Sequence, residues 1–271
     1  MNKRRDFIIG VDIGGTNIHA VLFKNGRILK RITILTPKNL KEFLNKLEKT
    51  IREIIPQSGK FLGIGCGIAG ILDLKKGTVL KSPNLEFLDG FKIKDWMQKK
   101  FHCTVKIDND ARCFLRGEYL FGAGRGYENL VGITLGTGVG GGIIIGGKIV
   151  YGANGSAGEI GHMIINSEKD LEETTVKQMR KLKFSKMAEK KFEKNLGIGF
   201  SNVVNILDPE IIIIGGGAAE NIKTFLPKIK AEAIKSIISP KSRKNVKILM
   251  GKLGEDAGAI GAAALFNDNQ S

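Results

Sequence analysis

The sequence predicts an α/β protein of two domains around a central cleft. Its 271 residues, 42% of them hydrophobic, are enough to bury the cores of two moderate domains. An apolar run that breaks into a glycine-rich turn with a hydroxyl side chain occurs twice, in IIGVDIGGTN (8–17) and VGITLGTGVGGG (131–142). Strand-like and helix-like segments alternate in each half, as in α/β proteins generally.

The first half starts with three consecutive strands, and its turn KNGR (24–27) marks a hairpin. Strands and helices then alternate in an order of the type βββαβα, with a polar connection through SPNL (82–85). The predicted strands are 7–13, 18–23, 27–35, 61–70 and 104–110, and the predicted helices are 39–55, 90–101 and 111–124.

The second half repeats this theme. Its predicted strands are 131–135, 141–152 as a hairpin, 211–217 and 245–250, and its predicted helices are 171–207, one after 217, and 257–266. No Pro- or Ser-rich linker separates the halves, so we expect domains joined through helices with a cleft between them. We place a small domain at 1–117 and a larger one at 118–257, and we expect a helix from about 258 to 271 to pack back on the first.

The two glycine-rich turns are candidates for phosphate binding. Glycine has no Cβ, so backbone N–H groups can approach a ligand closely. Successive N–H groups in such turns form anion-binding concavities. Two turns of this kind suit a phosphate chain held from both sides.

Two other glycine motifs are excluded by their surroundings. Gly136, Gly138 and Gly141 satisfy GxGxxG, but the following IIIGG favours a strand, whereas a dinucleotide site needs a helix. Residues 142–148 spell GxxxxGK, but Ile149 follows where a P-loop needs Ser or Thr to ligate magnesium. We therefore predict that Lys148 is a surface residue of a hairpin.

The formal net charge of +16 allows a nucleic-acid partner or an anionic substrate. Most of the lysines, however, alternate with apolar residues at helical spacing, as in residues 38–55, which indicates a solvated helix face. We therefore expect no nucleic-acid partner.

The sequence also indicates the compartment. Cys66, Cys103 and Cys113 fit neither a disulfide framework nor a CxxC metal site, and we expect them to be reduced core residues. There is no apolar run of 18 residues, and a strand-like run already begins at Phe7. We expect a soluble cytoplasmic protein without a membrane partner.

Six motifs, in order and spacing, resemble sugar kinases of the ROK type (repressor, open reading frame, kinase), a family of the actin-like ATPase superfamily. The resemblance covers essentially the whole chain and implies two actin-like (ribonuclease H-like) domains. Regulatory members carry a helix-turn-helix domain before the first DIGGT-like strand, and because only six residues precede it here, we do not expect a DNA-binding repressor. The motifs are DIGGTN (12–17), GIGCGIAGILD (63–73), IDNDA (107–111), TLGTGVGGG (134–142), GANGSAGEIGH (152–162) and IIIIGGG (211–217).

The resemblance implies an ATP site with magnesium. The first turn would be one phosphate loop, with Asp12 near the magnesium that neutralises the phosphates. The second turn would be the other phosphate loop, and the last glycine triplet would form the adenosine wall. The implied ATP-binding residues are Asp12, Gly14, Gly15, Thr16, Asn17, Thr134, Gly136, Thr137, Gly138, Gly215, Gly216 and Gly217.

Asp110 is the predicted catalytic base. Phosphoryl transfer to a sugar needs a carboxylate that orients the hydroxyl and accepts its proton. In IDNDA, Asp110 matches the family's base and Asn109 matches a ligand of sugar hydroxyls, whereas Asp108 matches no role. Alternatively Asp110 N-caps the helix over 111–124, a role compatible with catalysis.

GEIGH supplies Glu159 and His162, whose spacing lets them share one side of a helical turn. The resemblance implies that both bind ring hydroxyls of the sugar. Many relatives continue with a CxCGxxGCxE cluster whose thiolates join that His around a structural zinc, but this chain has no cysteine after Cys113. We therefore expect no zinc site and expect a carboxylate or a backbone carbonyl to orient the imidazole instead.

The Glu that ends the family's cluster also binds sugar. KDLE (169–172) makes Glu172 the candidate for this role, with Glu173 and a solvated helix start as the alternatives.

These features predict an ATP-dependent hexose kinase that acts on the 6-hydroxyl of glucose with magnesium, and the resemblance suggests a homodimer. Alternatives within enzymes are an N-acetylhexosamine, fructose or polyphosphate-using kinase of the same fold. The alternative from another class is a regulatory protein that keeps sugar and nucleotide sites without turnover.

Overall fold

The fold is built on two mixed sheets of five strands, each in its own compact unit. The computed structural model describes residues 6–166, 168–176 and 186–267. The first unit runs to Phe121 and also includes Ala153–Gly155 and the chain from Glu255 onward. The second unit holds Gly122–Gly152 and Ser156–Gly254.

The secondary structure alternates as expected for an α/β protein. The strands are β1 (Phe7–Ile13), β2 (Asn17–Lys24), β3 (Arg27–Leu35), β4 (Phe61–Ile68), β5 (Ile71–Asp73), β6 (Thr78–Lys81), β7 (Val105–Asn109), β8 (Leu130–Leu135), β9 (Val139–Ile145), β10 (Lys148–Ile149), β11 (Ile164–Asn166), β12 (Lys169–Asp170), β13 (Ile211–Gly215) and β14 (Lys247–Met250). The helices are α1 (Leu40–Ile54), α2 (Ile93–Phe101), α3 (Asp110–Phe121), α4 (Leu171–Thr174), α5 (Lys186–Leu207), α6 (Ala219–Ile222), α7 (Leu226–Ser236), α8 (Pro240–Asn245) and α9 (Ala257–Ala263).

The first sheet has the order β3-β2-β1-β4-β7. An antiparallel hairpin of β2 and β3 extends from β1, whereas β1, β4 and β7 run parallel. The carboxyl ends of parallel strands meet at one edge of a sheet, where open α/β sheets bind their ligands. Asp12 near the end of β1 and Asn109 at the end of β7 therefore reach the same edge.

The second sheet, β10-β9-β8-β13-β14, repeats that plan. β8 and β9 form an antiparallel pair, and β8, β13 and β14 run parallel. Four consecutive isoleucines of β13 are completely buried, as expected for a central strand covered on both faces. The turn between β8 and β9 thus matches the turn between β1 and β2 in position.

Close packing of small residues joins α9 to the first sheet and to α3. A Cβ on Gly10 of β1 would lie 1.9 Å from the carbonyl oxygen of Ala259, and one on Gly65 of β4 would lie 1.8 Å from that of Ala262. A Cβ on Gly117 of α3 would lie 2.4 Å from the carbonyl oxygen of Ala257. Only glycine permits this approach, so α9 completes the core of the first unit.

Three parts of the predicted secondary structure differ from the structure. The sequence analysis missed the β5–β6 hairpin, whose turn has Gly77 at a φ of +69°. The helix predicted over 171–207 was wrong as one element, because α4 ends at Thr174, followed by β-branched Thr175 and Val176 that disfavour a helix. Residues 177–185 of that prediction lie outside the described residues, and α5 begins at Lys186. The single helix predicted after 217 is three helices, α6 to α8.

Other predicted features are confirmed. β2 and β3 form the expected hairpin around residues 24–27, and the helix expected from about Asn39 is α1, which Asn39 caps by accepting the backbone N–H of Glu42. β9 follows Gly138 directly, so the GxGxxG motif does not open a helix. Lys148 is exposed in the hairpin of β9 and β10. No helix among the described residues is both long and apolar enough to cross a bilayer.

Candidate active site

The first glycine turn joins β1 to β2 through residues 14–16. The backbone N–H of Gly14 donates to the carbonyl of Asn17 at 3.0 Å, and the Thr36 hydroxyl donates to the carbonyl of Gly14 at 2.7 Å. The Lys38 ammonium donates to the carbonyl of Gly15 at 3.0 Å. A Cβ on Gly15 would lie 2.7 Å from Cβ of Asn84, so glycine is required there by close approach. These hydrogen bonds and the close approach of Asn84 thus fix the conformation of the loop.

Asp12 lies just before this turn in an unusual electrostatic environment. Its Oδ1 atom is buried and accepts no hydrogen bond. Burial, and secondarily the charge of Asp110, raise the pKa of Asp12 to about 8. A Cβ on Gly258 of α9 would lie 2.2 Å from Oδ2 of Asp12, so that side of the carboxylate is closely covered.

The pair of Asp12 and Asp110 fits a divalent cation. An unpaired buried carboxylate oxygen is costly unless a cation or another donor meets it. Mg²⁺ is commonly held by one or two carboxylates together with substrate phosphates, so that a complete cage of protein ligands is not needed. The residues present therefore suit the magnesium that an ATP site requires, with Asp12 as the better placed ligand.

The predicted catalytic pair Asn109–Asp110 stands at the junction of β7 and α3. Asn109 caps α3, since its Oδ1 accepts the backbone N–H of Arg112 at 3.1 Å. Its Nδ2 donates to Oδ1 of Asp110 at 3.0 Å and to the carbonyl of Gly70 at 3.1 Å. The alternative in which Asp110 itself caps the helix is wrong, because the cap is Asn109 and Asp110 is the first helical residue.

A buried ion-pair network supports this junction and was missed in the sequence analysis. Oδ1 of Asp108 lies 2.6 Å from Nε of Arg112, and its Oδ2 lies 3.2 Å from Nη2 of Arg116. The same Oδ1 accepts the backbone N–H of Asn109 at 2.8 Å, and Arg112 also donates to the carbonyl of Gly155 at 3.0 Å. The available signal was the pair Arg112 and Arg116, four residues apart on one face of an otherwise apolar helix that closely follows Asp108 in β7, because buried charges are normally paired.

In the second unit the turn from β8 to β9 lies beside the predicted adenosine motif. Thr134 pairs with Gly215 across the parallel β8 and β13. Gly216 has a φ of +90°, and a Cβ there would lie 2.5 Å from the carbonyl oxygen of Leu135, which also accepts the backbone N–H of Ala218 at 2.9 Å. The structure thus brings the second glycine turn and the glycine triplet to one edge of the second sheet.

The segment with Glu159 and His162 packs on β9 through glycines. A Cβ on Gly141 would lie 2.2 Å from the carbonyl oxygen of Gly158, and one on Gly161 would lie 2.2 Å from that of Val139. Ile160–His162 form a 3₁₀ turn that starts after Glu159, and both Glu159 and His162 are exposed. Gly141 and Gly161 therefore let this segment approach β9 closely.

A carboxylate orients His162, as expected. Oδ2 of Asp170 lies 3.1 Å from Nδ1 of His162, and Oδ1 of Asp170 caps α4 by accepting the backbone N–H of Glu173 at 2.7 Å. Among the described residues, no group of three or more His, Cys, Asp or Glu side chains is placed to hold a metal ion.

Glu172 lies against the second glycine turn. Its Oε2 accepts the backbone N–H of Val139 at 2.9 Å, and a Cβ on Gly138 would lie 2.4 Å from that oxygen. Glu173, the rival candidate, is exposed. In the second unit, therefore, α4 places Glu172 at the second glycine turn, and the residue that caps it, Asp170, lies beside His162.

Comparison with known proteins places these features in one family. The model of the ROK family matches residues 8–176 and 166–269. A glucokinase of Halalkalibacterium halodurans is 29% identical over 97% of this chain and 96% of its own length. A xylose repressor of Caldicellulosiruptor bescii is 31% identical over 98% of this chain and 79% of the repressor. The crystal structure of a ROK glucokinase from Streptomyces griseus with glucose and AMPPNP superposes with a TM-score of 0.83 at 28% identity, covering 96% of this chain and 98% of that one.

Proposed function

This chain belongs to the ROK family, and on that premise we propose that it is an ATP-dependent hexose kinase that phosphorylates the 6-hydroxyl of glucose. The observation that carries the proposal is the Asn109–Asp110 pair beside Asp12. A capped helix start holds Asn109 and Asp110, and the Asp12 carboxylate beside them has one buried oxygen that accepts no hydrogen bond. A regulator that binds sugar without turnover has no need of a base and a cation ligand placed together.

Asp110 is the proposed base. Its Oδ1 accepts a hydrogen bond from Asn109, which fixes the carboxylate relative to the end of β7. From there it would orient the acceptor hydroxyl and take its proton as the hydroxyl oxygen bonds to the γ-phosphorus and the bond between that phosphorus and the departing ADP breaks. The Asp108–Arg112 pair holds the backbone of Asn109, so Asp108 supports the catalytic pair without touching substrate.

The sugar and nucleotide ligands follow the family pattern. Asn109, Glu159, His162 and Glu172 would bind sugar hydroxyls, with carboxylates and imidazole forming strong hydrogen bonds. The two glycine turns would hold the phosphates through backbone N–H groups and hydroxyls, and Gly215–Gly217 would contact adenosine. The structural relative was crystallised with glucose and AMPPNP, which supports these two ligands for this chain.

Magnesium completes the proposed site. Asp12 would hold it, with Asp110 nearby, and when bound it would neutralise the charge of the phosphates. We also propose a homodimer, which sedimentation analysis of the purified protein can test.

A second candidate is a regulatory protein that binds sugar and nucleotide without turnover. The xylose repressor, which aligns over 98% of this chain, supports this alternative. The two functions differ in one measurement, phosphoryl transfer.

The deciding experiment is an assay of sugar phosphate formation with ATP or polyphosphate as donor. The panel contains glucose, mannose, fructose, N-acetylglucosamine and N-acetylmannosamine. We expect glucose with ATP to give the highest kcat/KM and Asp110→Asn to abolish most of it. Sugar binding by calorimetry without phosphate transfer to any panel member would favour the regulatory alternative.

A further inference from the structure

Asp170 connects two of the proposed sugar ligands. Its Oδ2 lies 3.1 Å from Nδ1 of His162, while its Oδ1 caps the helix that carries Glu172. We propose that Asp170 is a positioning residue that fixes the tautomer of His162 and the place of α4. The inference rests on the proposed function, because its purpose is sugar binding.

The contact between Asp170 and His162 determines where the ring proton resides. A carboxylate can only accept a hydrogen bond, so Nδ1 of His162 must carry the hydrogen. In the neutral ring Nε2 is then an acceptor, which suits a hydrogen bond from a sugar hydroxyl. The His162 side chain is 61% exposed and that of Asp170 only 18%, so the ring stays accessible while its partner is held.

The surroundings of Asp170 keep that carboxylate in place. The Thr174 hydroxyl donates to the carbonyl of Asp170 at 2.8 Å, and the backbone N–H of Leu171 donates to the carbonyl of Met163 at 2.9 Å. Asp170 also pairs with Ile164 in the β11–β12 hairpin. The backbone at Asp170 is thus bonded to the segment that follows His162. These bonds hold the Asp170 carboxylate in position beside the imidazole ring.

Through the cap, Asp170 also acts on Glu172. α4 is only four residues long, so it depends on its cap more than a long helix does. Glu172 on this helix accepts the backbone N–H of Val139, next to the second glycine turn. One aspartate therefore orients the imidazole with one oxygen and the neighbouring glutamate with the other.

Asp170→Asn separates these two roles. Asparagine caps helices about as well as aspartate, so its Oδ1 can keep the bond to Glu173. Its amide can meet Nδ1 of His162 only by donating, which forces the hydrogen onto Nε2. We expect the sugar KM to rise roughly tenfold, because Nε2 then carries the hydrogen and can no longer accept a hydrogen bond from a sugar hydroxyl. The KM for ATP should stay within about twofold.

The primary measurement is nitrogen NMR of histidine-labelled protein without ligand, at a pH high enough for the ring to be neutral. The His162 signals are assigned with His162→Gln. We expect the Nδ1–H tautomer in the wild type and the Nε2–H tautomer in Asp170→Asn. Sugar kinetics use the panel sugar with the lowest KM.

A matched control measures the effect of losing a cap alone. Ser239→Ala removes the cap of α8 in the same unit, where the Ser239 hydroxyl accepts the backbone N–H of Ser242 at 3.1 Å. We expect this variant to lose stability but keep its sugar KM, whereas Asp170→Ala should lose stability and raise the KM.

Several outcomes would overturn the proposal. These are an Nε2–H tautomer in the wild type, the same tautomer in wild type and Asp170→Asn, or a switched tautomer with an unchanged sugar KM. If Asp170→Asn does not fold, the wild-type tautomer alone decides. A wild type that has the Nδ1–H tautomer but phosphorylates no sugar would refute the proposed kinase and leave the positioning of His162 intact.

Discussion

Asp12 and Asp110 stand at the same edge of the first sheet, near the ends of the parallel strands β1 and β7, and the charge of Asp110 adds to burial in raising the pKa of Asp12 to about 8. β4 lies between the two strands and has Gly67 there, opposite Asp12 in register. A Cβ on Gly67 would lie 3.4 Å from Cα of Asp110, so no side chain of β4 intervenes. Two carboxylates this close resist being ionised together unless a cation joins them.

The first prediction concerns pH and the metal-free protein. The pKa of Asp12 is about 8 in the folded protein, whereas the ordinary value for an aspartate, which we take for the unfolded chain, is 3.8. The folded state therefore binds more protons than the unfolded state between these values, and the contribution of Asp12 to stability falls as pH rises from about 4 to 8. Asp12→Asn stays neutral, so we expect it to gain stability relative to wild type as pH rises from about 4 to about 8.

Denaturant unfolding in the presence of a chelator measures this difference. The free energies of unfolding of the wild type and Asp12→Asn should differ least near pH 4, and the difference should grow toward pH 8. A difference in the free energy of unfolding that stays constant over this pH range would contradict the raised pKa of Asp12.

The second prediction concerns turnover. Asp110→Asn keeps the shape of the side chain but cannot accept the proton, so kcat should fall roughly a hundredfold or more, since a general base contributes about 10²–10⁴. Sugar affinity by calorimetry should change by no more than a few fold. Asp95→Asn, an exposed aspartate in the first turn of α2, serves as the control and should keep the wild-type kcat. Turnover near that of the wild type in Asp110→Asn would remove Asp110 from catalysis.

The third prediction uses the glycine triplet after β13. Gly216→Ala forces a Cβ onto a residue at φ +90°, 2.5 Å from the carbonyl oxygen of Leu135. A left-handed conformation alone costs about 1–2 kcal/mol for an L-residue, so the melting temperature should fall and the KM for ATP should rise. Gly217→Ala is the matched control for the melting temperature alone, because nothing in the protein lies within 4 Å of its Cβ position. Equal effects of both substitutions would show that the backbone at Gly216 is not the constraint.

The fourth prediction concerns the buried ion pair. Arg112→Met leaves part of the Asp108 charge unpaired in the core and releases the carbonyl of Gly155, so we expect a loss of roughly 3 kcal/mol of stability and a lower kcat. Arg52→Met breaks a pair of the same i, i+4 geometry, with Nε of Arg52 2.8 Å from Oε1 of Glu48, on the exposed face of α1. This control should unfold almost as the wild type does. Similar losses in the two variants would mean that burial of the Asp108 pair contributes nothing.

The fifth prediction is that activity does not depend on zinc. Asp170 occupies one ring nitrogen of His162, and the sequence supplies no cysteine beyond Cys113 to build a thiolate site around it. Elemental analysis of the purified protein should find less than stoichiometric zinc. Exhaustive chelation followed by magnesium alone should restore full activity, and recovery that requires zinc would contradict this reading of the region after His162.

The sheets were predictable from the sequence because their signals are local. Apolar runs that break into glycine turns identify β1, β8 and β13, and a hairpin turn identifies β2 and β3. The helix predicted over 171–207 is interrupted after Thr174, where the hydroxyl groups of Thr174 and Thr175 donate to the carbonyl of Leu171. Such local competition between side chains and backbone changes helix boundaries without changing the hydrophobic period.

The site was predictable in part. The family resemblance of the motifs names Asp12, Asn109 and Asp110 as candidates, and the structure places them near the ends of β1 and β7. The roles of Asp108 and Asp170 were not assigned, since each acts through a tertiary contact with a residue on another turn or segment. The requirement for glycine at Gly141 and Gly161 arises in the same way, from the approach of one backbone to another.

The seating of α9 against β1, β4 and α3 also determines the order of events during biosynthesis. The first sheet and α3 are synthesised early. The glycine-lined surface that they form stays uncovered until Ala257–Ala263 are synthesised, which happens only after the whole of the second unit. The second unit is nearly continuous in sequence, so a nascent chain can complete it while the first unit still exposes that surface. Aggregation or chaperone capture should therefore concentrate on this surface during translation, because transiently exposed apolar surface is where incomplete domains associate.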